Sequence, residues 1–303
     1  MILLWGVPDE PPLARVAEEL ELLGAPWQLL DQRDEPETIA ELTFDHRLHA
    51  SVSIRDRVLD LDAATAVYHR CQDPRTITER TATASTSAEW DHVLSIEDLL
   101  LSWLELTNAL VVNRPSDMGS NSSKPYQLAS IAAAGFRTPA TLVTTDPGTA
   151  EAFWARHGEV VYKSVSGVRS IVARLRPEDR DRLADVRFCP TQFQQFIAGI
   201  DYRVHVVRER VFATRIESNL DDYRYSGAAT PALAACNIDD QLAEQCVAMC
   251  ARMGLHLAGI DLRLTPEGDW YCFEVNPSPA FTYYENATGQ PIAAAIAQLL
   301  VSR

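Results

Sequence analysis

Short apolar runs alternate with amphipathic stretches over the first hundred residues. Ile2-Leu3-Leu4-Trp5 is an uninterrupted apolar run of strand length, the pattern of a strand buried on both faces. Pro12 to Leu23 carries apolar positions at helical spacing and is stopped by Gly24, and Trp27 to Leu30 returns to strand. The pattern then predicts a small hairpin over Ser51 to Leu61 and a strand at Ala66 to Tyr68. A long amphipathic helix over Ala88 to Leu106 and a strand over Ala109 to Val112 follow. Strands alternating with helices make residues 1–112 an α/β unit whose ligand edge lies at the strand ends.

At Asn113 the texture changes. Asn113-Arg114-Pro115-Ser116 and Asn121-Ser122-Ser123 read as a polar linker, followed by a helix from about Lys124 to Ala134 with Gly135 as its stop. A strand is expected over Thr141 to Thr144, and a helix opened by Asp146-Pro147 that ends at His157-Gly158. Strands then dominate: Val160 to Lys163, Ile171 to Leu175, Phe193 to Ile197, Asp201 to Val207, Val211 to Ile216, Leu257 to Leu264 and Trp270 to Val275. A helix over Asp239 to Met253 interrupts them, and one around Ile292 to Leu300 closes the chain. The expected division is an N-terminal α/β domain, 1–112, and a second unit, 113–303, with a central part of about 113–190 and a C-terminal part of about 191–303.

Composition narrows the function. The 303 residues suit about two domains, and 47% hydrophobic with 23% charged residues excludes wholesale disorder. Forty-two acids against 27 bases give a net charge of −15, and residues 1–62 alone hold 14 acids and 5 bases. Such a surface repels nucleic acid and anionic membranes, so neither is an expected partner. No apolar run reaches the roughly 18–20 residues of a membrane span, and the N-terminus lacks the basic region of a signal peptide; the expected location is cytoplasmic. The six cysteines show no CxxC, and Cys246 and Cys250 share a helix face with Leu242 and Met253, which favours buried, reduced thiols over a metal site.

The chemistry concentrates in two hairpins. In Gly259-Ile-Asp-Leu-Arg-Leu-Thr-Pro-Glu-Gly-Asp-Trp-Tyr-Cys-Phe-Glu-Val-Asn276, Pro266 to Asp269 is turn sequence between two strands. Placing Ile260, Leu262 and Leu264 with Tyr271, Phe273 and Val275 on one face pairs Leu262 with Phe273 and Asp261 with Glu274, with Asn276 following on the polar face. Opposed carboxylates repel, so amide replacement is expected to stabilise the metal-free protein. Mg²⁺ would resolve the conflict through hard oxygen ligands; the alternative is a solvated polar face with a shared proton. In the second hairpin, Asp201, Arg203 and His205 alternate with apolar residues, and a three-residue turn through Arg208-Glu-Arg210 would set Arg203 opposite Arg215. Two opposed guanidinium groups suit a phosphate or carboxylate; the alternative is two separate surface ion pairs with Asp201 and Glu217.

Lys163 ends an apolar strand before Ser164-Val-Ser-Gly167-Val-Arg-Ser170, a small-residue loop whose amides suit phosphate oxygens, although a flexible hairpin tip has the same composition. His157 reads as a helix C-terminal residue, and no GxSxG elbow supports Ser/His/Asp catalysis.

Taken in order, Lys124, Val160-Val-Tyr-Lys163-Ser-Val-Ser-Gly167, Gln194-Gln-Phe-Ile-Ala-Gly-Ile-Asp-Tyr-Arg203, Gly259-Ile-Asp261 and Phe273-Glu-Val-Asn-Pro277 resemble the ATP-grasp superfamily over about residues 105–303. The branch it looks most like is that of ribosomal-protein glutamate ligase. Within that branch, the tail Asn276-Pro-Ser-Pro-Ala-Phe-Thr-Tyr-Tyr-Glu285 with Thr288-Gly-Gln-Pro-Ile292 is similar to the graspetide (microviridin-type) peptide maturases. Asn276-Pro-Ser-Pro departs from the small Gly/Ala-containing loop of the pattern.

The resemblance implies an α/β (α+β) ATP-grasp fold preceded by an N-terminal α/β pre-ATP-grasp domain. It implies that Lys124, Lys163, Ser164 and Gly167 meet ATP phosphates, Gln195 and Ile197 meet adenine through main-chain groups, Phe196 lines its pocket and Asp201 binds ribose. Asp261, Glu274 and Asn276 would hold Mg²⁺, two ions in the family pattern, and Arg203 and Arg215 would face the transferred phosphate. The implied activity is ligation of a carboxylate to an amine or hydroxyl through an acyl phosphate, with ATP converted to ADP and phosphate. A peptide substrate is expected, with an amino-acid or glutamate ligase as the alternative and a nucleotide-binding module without turnover as a second. Close relatives suggest a homodimer. Phe281, Tyr283 and Tyr284 are candidates for walling a peptide cleft beside the metal site, with core packing the competing explanation.

Overall fold

In the computed structural model, which describes residues 1–77, 87–165, 172–217 and 231–302, the first apolar run lies inside a parallel sheet. β1 (Ile2–Gly6), buried at all five positions, pairs in parallel with β2 (Trp27–Asp31). The helix between them, Pro11–Leu22, starts on Glu10, whose carboxylate accepts the Leu13 N–H at 2.9 Å, and ends before Gly24 at φ +63°.

Where the alternation predicts one hairpin over Ser51 to Leu61, the chain forms a three-stranded antiparallel sheet: β3 (Thr38–Phe44), β4 (Leu48–Ile54) and β5 (Arg57–Asp60). β3 escapes the pattern because Ile39 and Phe44 face out, 63% and 77% exposed, while the smaller Ala40 is one of the residues facing in. β6 (Ala66–Arg70) returns to the other edge of β1, and after the helix Ser87–Leu106, β7 (Leu110–Val112) completes the order β2-β1-β6-β7. All four strands are parallel, so Gly6, Arg70 and Val112 end at one edge.

The stretch read as a polar linker is structured. Asn113, 2% exposed, accepts the His256 and Leu257 N–H groups on Oδ1 at 2.7 and 3.1 Å. Its Nδ2 donates to the Leu257 and Pro277 carbonyls, both at 2.7 Å. A short helix, Pro115–Met118, and a 3-10 turn, Gly119–Ser122, then lead to the helix Lys124–Ala133, stopped before Gly135 at φ +87°.

β8 (Thr141–Thr144), β9 (Val160–Ser164), β10 (Ala173–Arg174) and β11 (Thr191–Gln195) form a third sheet in the order β10-β9-β11-β8. Asp146 caps the helix Pro147–His157 by accepting the Thr149 N–H at 2.9 Å. A 3-10 stretch, Pro177–Phe188, which its highly charged sequence conceals, contributes Leu183 and Val186 to the small core under this sheet.

The fourth sheet is antiparallel: β12 (Ile200–Val207), β13 (Arg210–Glu217), β14 (Ala232–Cys236), β15 (Leu257–Leu264) and β16 (Trp270–Asn276), in the order β14-β13-β12-β15-β16. β14 carries no apolar alternation that would reveal it. The helix Asp240–Arg252 lays Leu242, Cys246, Met249 and Cys250 on Val204, Val206, Ile260 and Leu262, each large aliphatic group contributing about 1.5–3 kcal/mol. All six cysteines are free, and burial raises the Cys246 thiol to about 12 and Cys272 well above its usual value, which makes these core thiols inert.

The helix Thr282–Thr288, absent from the sequence reading, precedes Ile292–Val301, whose Ile292, Ile296 and Leu300 pack with Leu13, Val16 and Leu20. The end of the chain thereby shares a core with its beginning. No helix among the described residues is long and apolar enough to cross a membrane.

Candidate active site

β15 and β16 oppose Asp261 and Glu274, as the alternation predicts, but a bulge between Asp261 and Leu262 then shifts the register. Leu262 pairs with Cys272, not Phe273. The extra residue re-aims the strand. Cys272 and Val275 enter the core at 0% exposure, whereas the adjacent Phe273 and Glu274 both border an open cleft. The expected apolar face of Tyr271, Phe273 and Val275 is therefore corrected to one carrying Cys272 and Val275.

The second hairpin also differs. Val207 pairs with Arg210 across a two-residue turn, Arg208-Glu209, in which Arg208 itself takes φ +54°. Arg203 consequently opposes Thr214 and Arg215 opposes Tyr202, which places the two guanidinium groups on opposite faces instead of facing one another. Arg215 pairs with Glu217 at 3.2 Å and its side chain is 43% exposed.

Arg203 points the other way. It lies across from Asp261 on β15, with Nη1 2.6 Å from Oδ1 and only 7% of its side chain exposed. A Cβ on Gly259 would come within 2.1 Å of Arg203 Nη2, so this glycine provides space rather than backbone freedom. Gly259→Ala is expected to push Arg203 off Asp261, costing about 1–3 kcal/mol of stability and most of the turnover. A thermal melt beside an ATP-turnover assay checks both.

His205 backs Arg203: its Nε2 accepts from Arg203 Nε at 3.5 Å, and Tyr284 packs edge-on at 5.0 Å. Burial, and then the Arg203 charge, hold this imidazole well below 6.5, so it stays neutral and able to accept.

The cleft, about 800 Å³ of space open to solvent, separates the sheet of β8 to β11 from the sheet of β12 to β16. Val161, Lys163 and Gln194 line it from one side, Asp201, Asp261, Arg263, Phe273 and Glu274 from the other, and Gln195, Phe196 and Ile197 form the connection at its end. Lys124, at the start of its helix, reaches Glu274 and, at 3.2 Å, Asn121. Asn276 follows on β16, its Oδ1 accepting the Ser278 N–H at 2.9 Å. Gly167 lies outside the described residues; Ser164 ends β9, opposite Thr191.

Arg263 is the residue that sequence reasoning missed. It holds Asp201 through two hydrogen bonds of 2.6 and 2.9 Å and donates to the Ile197 carbonyl at 2.7 Å. Its position two residues after Asp261 and directly across from Asp201 was the available signal. Arg174 stacks on Phe196 at 3.8 Å, and the Arg263 guanidinium lies 5.2 Å from the Phe273 ring centre, so one end of the cleft has flat, cationic and aromatic walls. Of the three tail aromatics, Phe281 is core and Tyr284 lies against Arg203, leaving Tyr283, 45% exposed, able to meet a ligand.

The donor set fits Mg²⁺. Among the described residues no group of three or more His, Cys, Asp or Glu side chains could hold a metal alone. Mg²⁺ needs none, since one or two carboxylates, water and substrate phosphates complete its shell. Asp261 and Glu274 would supply such carboxylates, and each is balanced by a cation, Arg203 or Lys124.

Residues 121–300 match the RimK-like ATP-grasp domain. The whole fold is similar to that of the ATP-grasp ligase PsnB, solved with minimal precursor, Mg and ADP. Its TM-score is 0.83 and its identity 26%, over 99% of this chain and 96% of that one. It also superposes on the macrocyclase MdnC from Microcystis aeruginosa MRC, bound with precursor peptide MdnA, with a TM-score of 0.83, 20% identity and 100% coverage of both, a likeness of fold. Beta-citrylglutamate synthase B of Danio rerio is 26% identical over 152 residues, 47% of this chain and 37% of that protein. A probable alpha-L-glutamate ligase of Alkalilimnicola ehrlichii is 31% identical over 119 residues, 39% of each. The chain thus spans well under half the length of these curated relatives. With more than half of its residues in the domain match and nearly all of them in the structural one, the chain has the ATP-grasp fold and belongs to the RimK-like ATP-grasp family.

Proposed function

We propose that the chain uses ATP and Mg²⁺ to activate a peptide carboxylate as an acyl phosphate and joins it to an amine or hydroxyl. The observation that carries this is the opposed Asp261 and Glu274 on one wall of a cleft, each already balanced by a cation, with Lys163 on the facing wall. Phe196 and Phe273 bracket the base, and with the Ile197 carbonyl bonded to Arg263, its N–H is the group offered to adenine. Asp201, held by Arg263, keeps a second lone pair on each oxygen for ribose hydroxyls. Lys124 and Lys163 orient the phosphates, and Arg203, fixed by His205, meets the transferred group.

Asp261, Glu274 and Asn276 would hold the Mg²⁺, two ions in this reading, which neutralises charge on the γ-phosphate. The protein needs no covalent nucleophile. Its tasks are to align donor and acceptor and to exclude water from an acyl phosphate that otherwise hydrolyses. The likeness to PsnB, whose structure contains a precursor, supports a peptide substrate. Similarity to the probable alpha-L-glutamate ligase supports a second reading, addition of a free amino acid.

Lys163→Ala tests the nucleotide end. Loss of a charged hydrogen bond to phosphate is expected to weaken ATP binding by about 10–100-fold. Unchanged affinity in a calorimetric titration would move the phosphates elsewhere.

A further inference from the structure

Three consecutive residues after Asn276 are held by side chains from the edge of the N-terminal parallel sheet. Asn113, following β7, donates to the Pro277 carbonyl at 2.7 Å. Arg70, the last residue of β6, donates through Nη1 to Ser278 Oγ at 2.8 Å and to the Pro279 carbonyl at 3.1 Å. The rest of its guanidinium is bound by Glu10, the residue that caps the first helix. With its side chain 9% exposed and both ends of the guanidinium engaged, Arg70 is built to hold the protein rather than a ligand.

What it holds bears on Asn276. The Ser278 N–H points at Asn276 Oδ1 from 2.9 Å. A donor at that place selects one of the two orientations of the Asn276 amide, because the flipped form would set Nδ2 against the Ser278 N–H. The oxygen kept by this contact has one further lone pair for a cation. If Ser278 shifts, the amide is free to turn its NH₂ toward the metal, where it cannot ligate.

We propose that Arg70 is a positioning residue for the metal site: it fixes Ser278, and through Ser278 the orientation of the Asn276 amide, so that the N-terminal sheet edge sets the Mg²⁺ affinity of a site borne on β16. The inference rests on the assignment of Asn276 as a metal ligand. It gives the edge of the parallel sheet a task in the chemistry without a contact to substrate.

The test is ADP binding to the full chain by calorimetry, over a Mg²⁺ series and in EDTA, for wild type, Arg70→Gln, Arg70→Lys and Ser278→Ala. Residues one step behind a metal ligand typically change metal affinity by 10–100-fold, so Arg70→Gln is expected to raise the Mg²⁺ concentration for half-maximal ADP binding roughly tenfold. ADP affinity in EDTA should stay unchanged. Ser278→Ala, which removes one acceptor and no charge and so leaves folding least disturbed, should move the midpoint in the same direction by less, and Arg70→Lys should fall between wild type and Gln. Midpoints equal to wild type in folded Arg70→Gln and Ser278→Ala, even with lowered melting temperatures, would reduce Arg70 to a staple and overturn the proposal. Wild-type ADP binding indifferent to Mg²⁺ would overturn the metal assignment itself, a different failure visible before any variant is made.

Discussion

Asp261→Asn is expected to abolish Mg²⁺-dependent turnover and to destabilise the metal-free protein in the same step. The second half reverses the expectation from sequence, in which an amide relieves repulsion between Asp261 and Glu274. The structure supplies what the pattern lacked: Arg203, 7% exposed, has Asp261 as its counter-ion at 2.6 Å. Removing one partner of such a pair leaves an uncompensated charge, a loss of about 3–5 kcal/mol when fully buried and about 2 kcal/mol here, where Asp261 remains 27% exposed. Glu274→Gln should behave differently. Its partner Lys124 is 21% exposed, so the stability change should stay within about 1 kcal/mol while turnover falls by about 10²–10³-fold or more. Urea unfolding of both variants in EDTA separates the cases; an Asp261→Asn protein more stable than wild type would show that Arg203 does not depend on this pair.

Asn113→Ala is the substitution expected to cost most stability without touching the cleft. Its amide satisfies two N–H groups and two carbonyls at the junction of β7, β15 and the loop after Asn276. Alanine would strip their partners from four main-chain polar groups beside a position only 2% exposed. At about 1–3 kcal/mol for each group left unsatisfied, and with partial rescue by entering water, a loss of about 3–5 kcal/mol is expected. Denaturant unfolding should show it as a lower midpoint with an unchanged slope. A loss below about 1 kcal/mol would mean that the junction is held by apolar packing alone.

How far the sequence discloses this molecule depends on how local the signal is. The helices Pro11–Leu22, Ser87–Leu106 and Asp240–Arg252 were legible because apolar periodicity is written into each segment, with a cap or stop residue at the first and last. β3 and β14 were not, since one turns Ile39 and Phe44 outward and the other reads Ala-Leu-Ala-Ala-Cys. In the site, Asp261 opposite Glu274 followed from alternation. The bulge that delivers Phe273 as well did not, because a bulge breaks the very period used to place residues. The Arg203 and Arg215 pairing failed on one residue of turn length: Arg208 adopts the left-handed conformation without being glycine. Arg70 and Asn113 act through partners distant along the chain, and a single sequence carries no local mark of such contacts.

Mass spectrometry of acidic, Lys- and Ser/Thr-containing peptides incubated with the protein, ATP and Mg²⁺ reads peptide ligation itself. Each ester or amide closed within the peptide expels one water overall, so the expected products are lighter by roughly 18 Da per bond, formed with ADP and phosphate in step and absent with Glu274→Gln. Peptides heavier by an amino-acid residue would contradict ring closure and favour the glutamate-ligase reading, and bound ATP with no mass change on any peptide or amino acid supplied would contradict ligation.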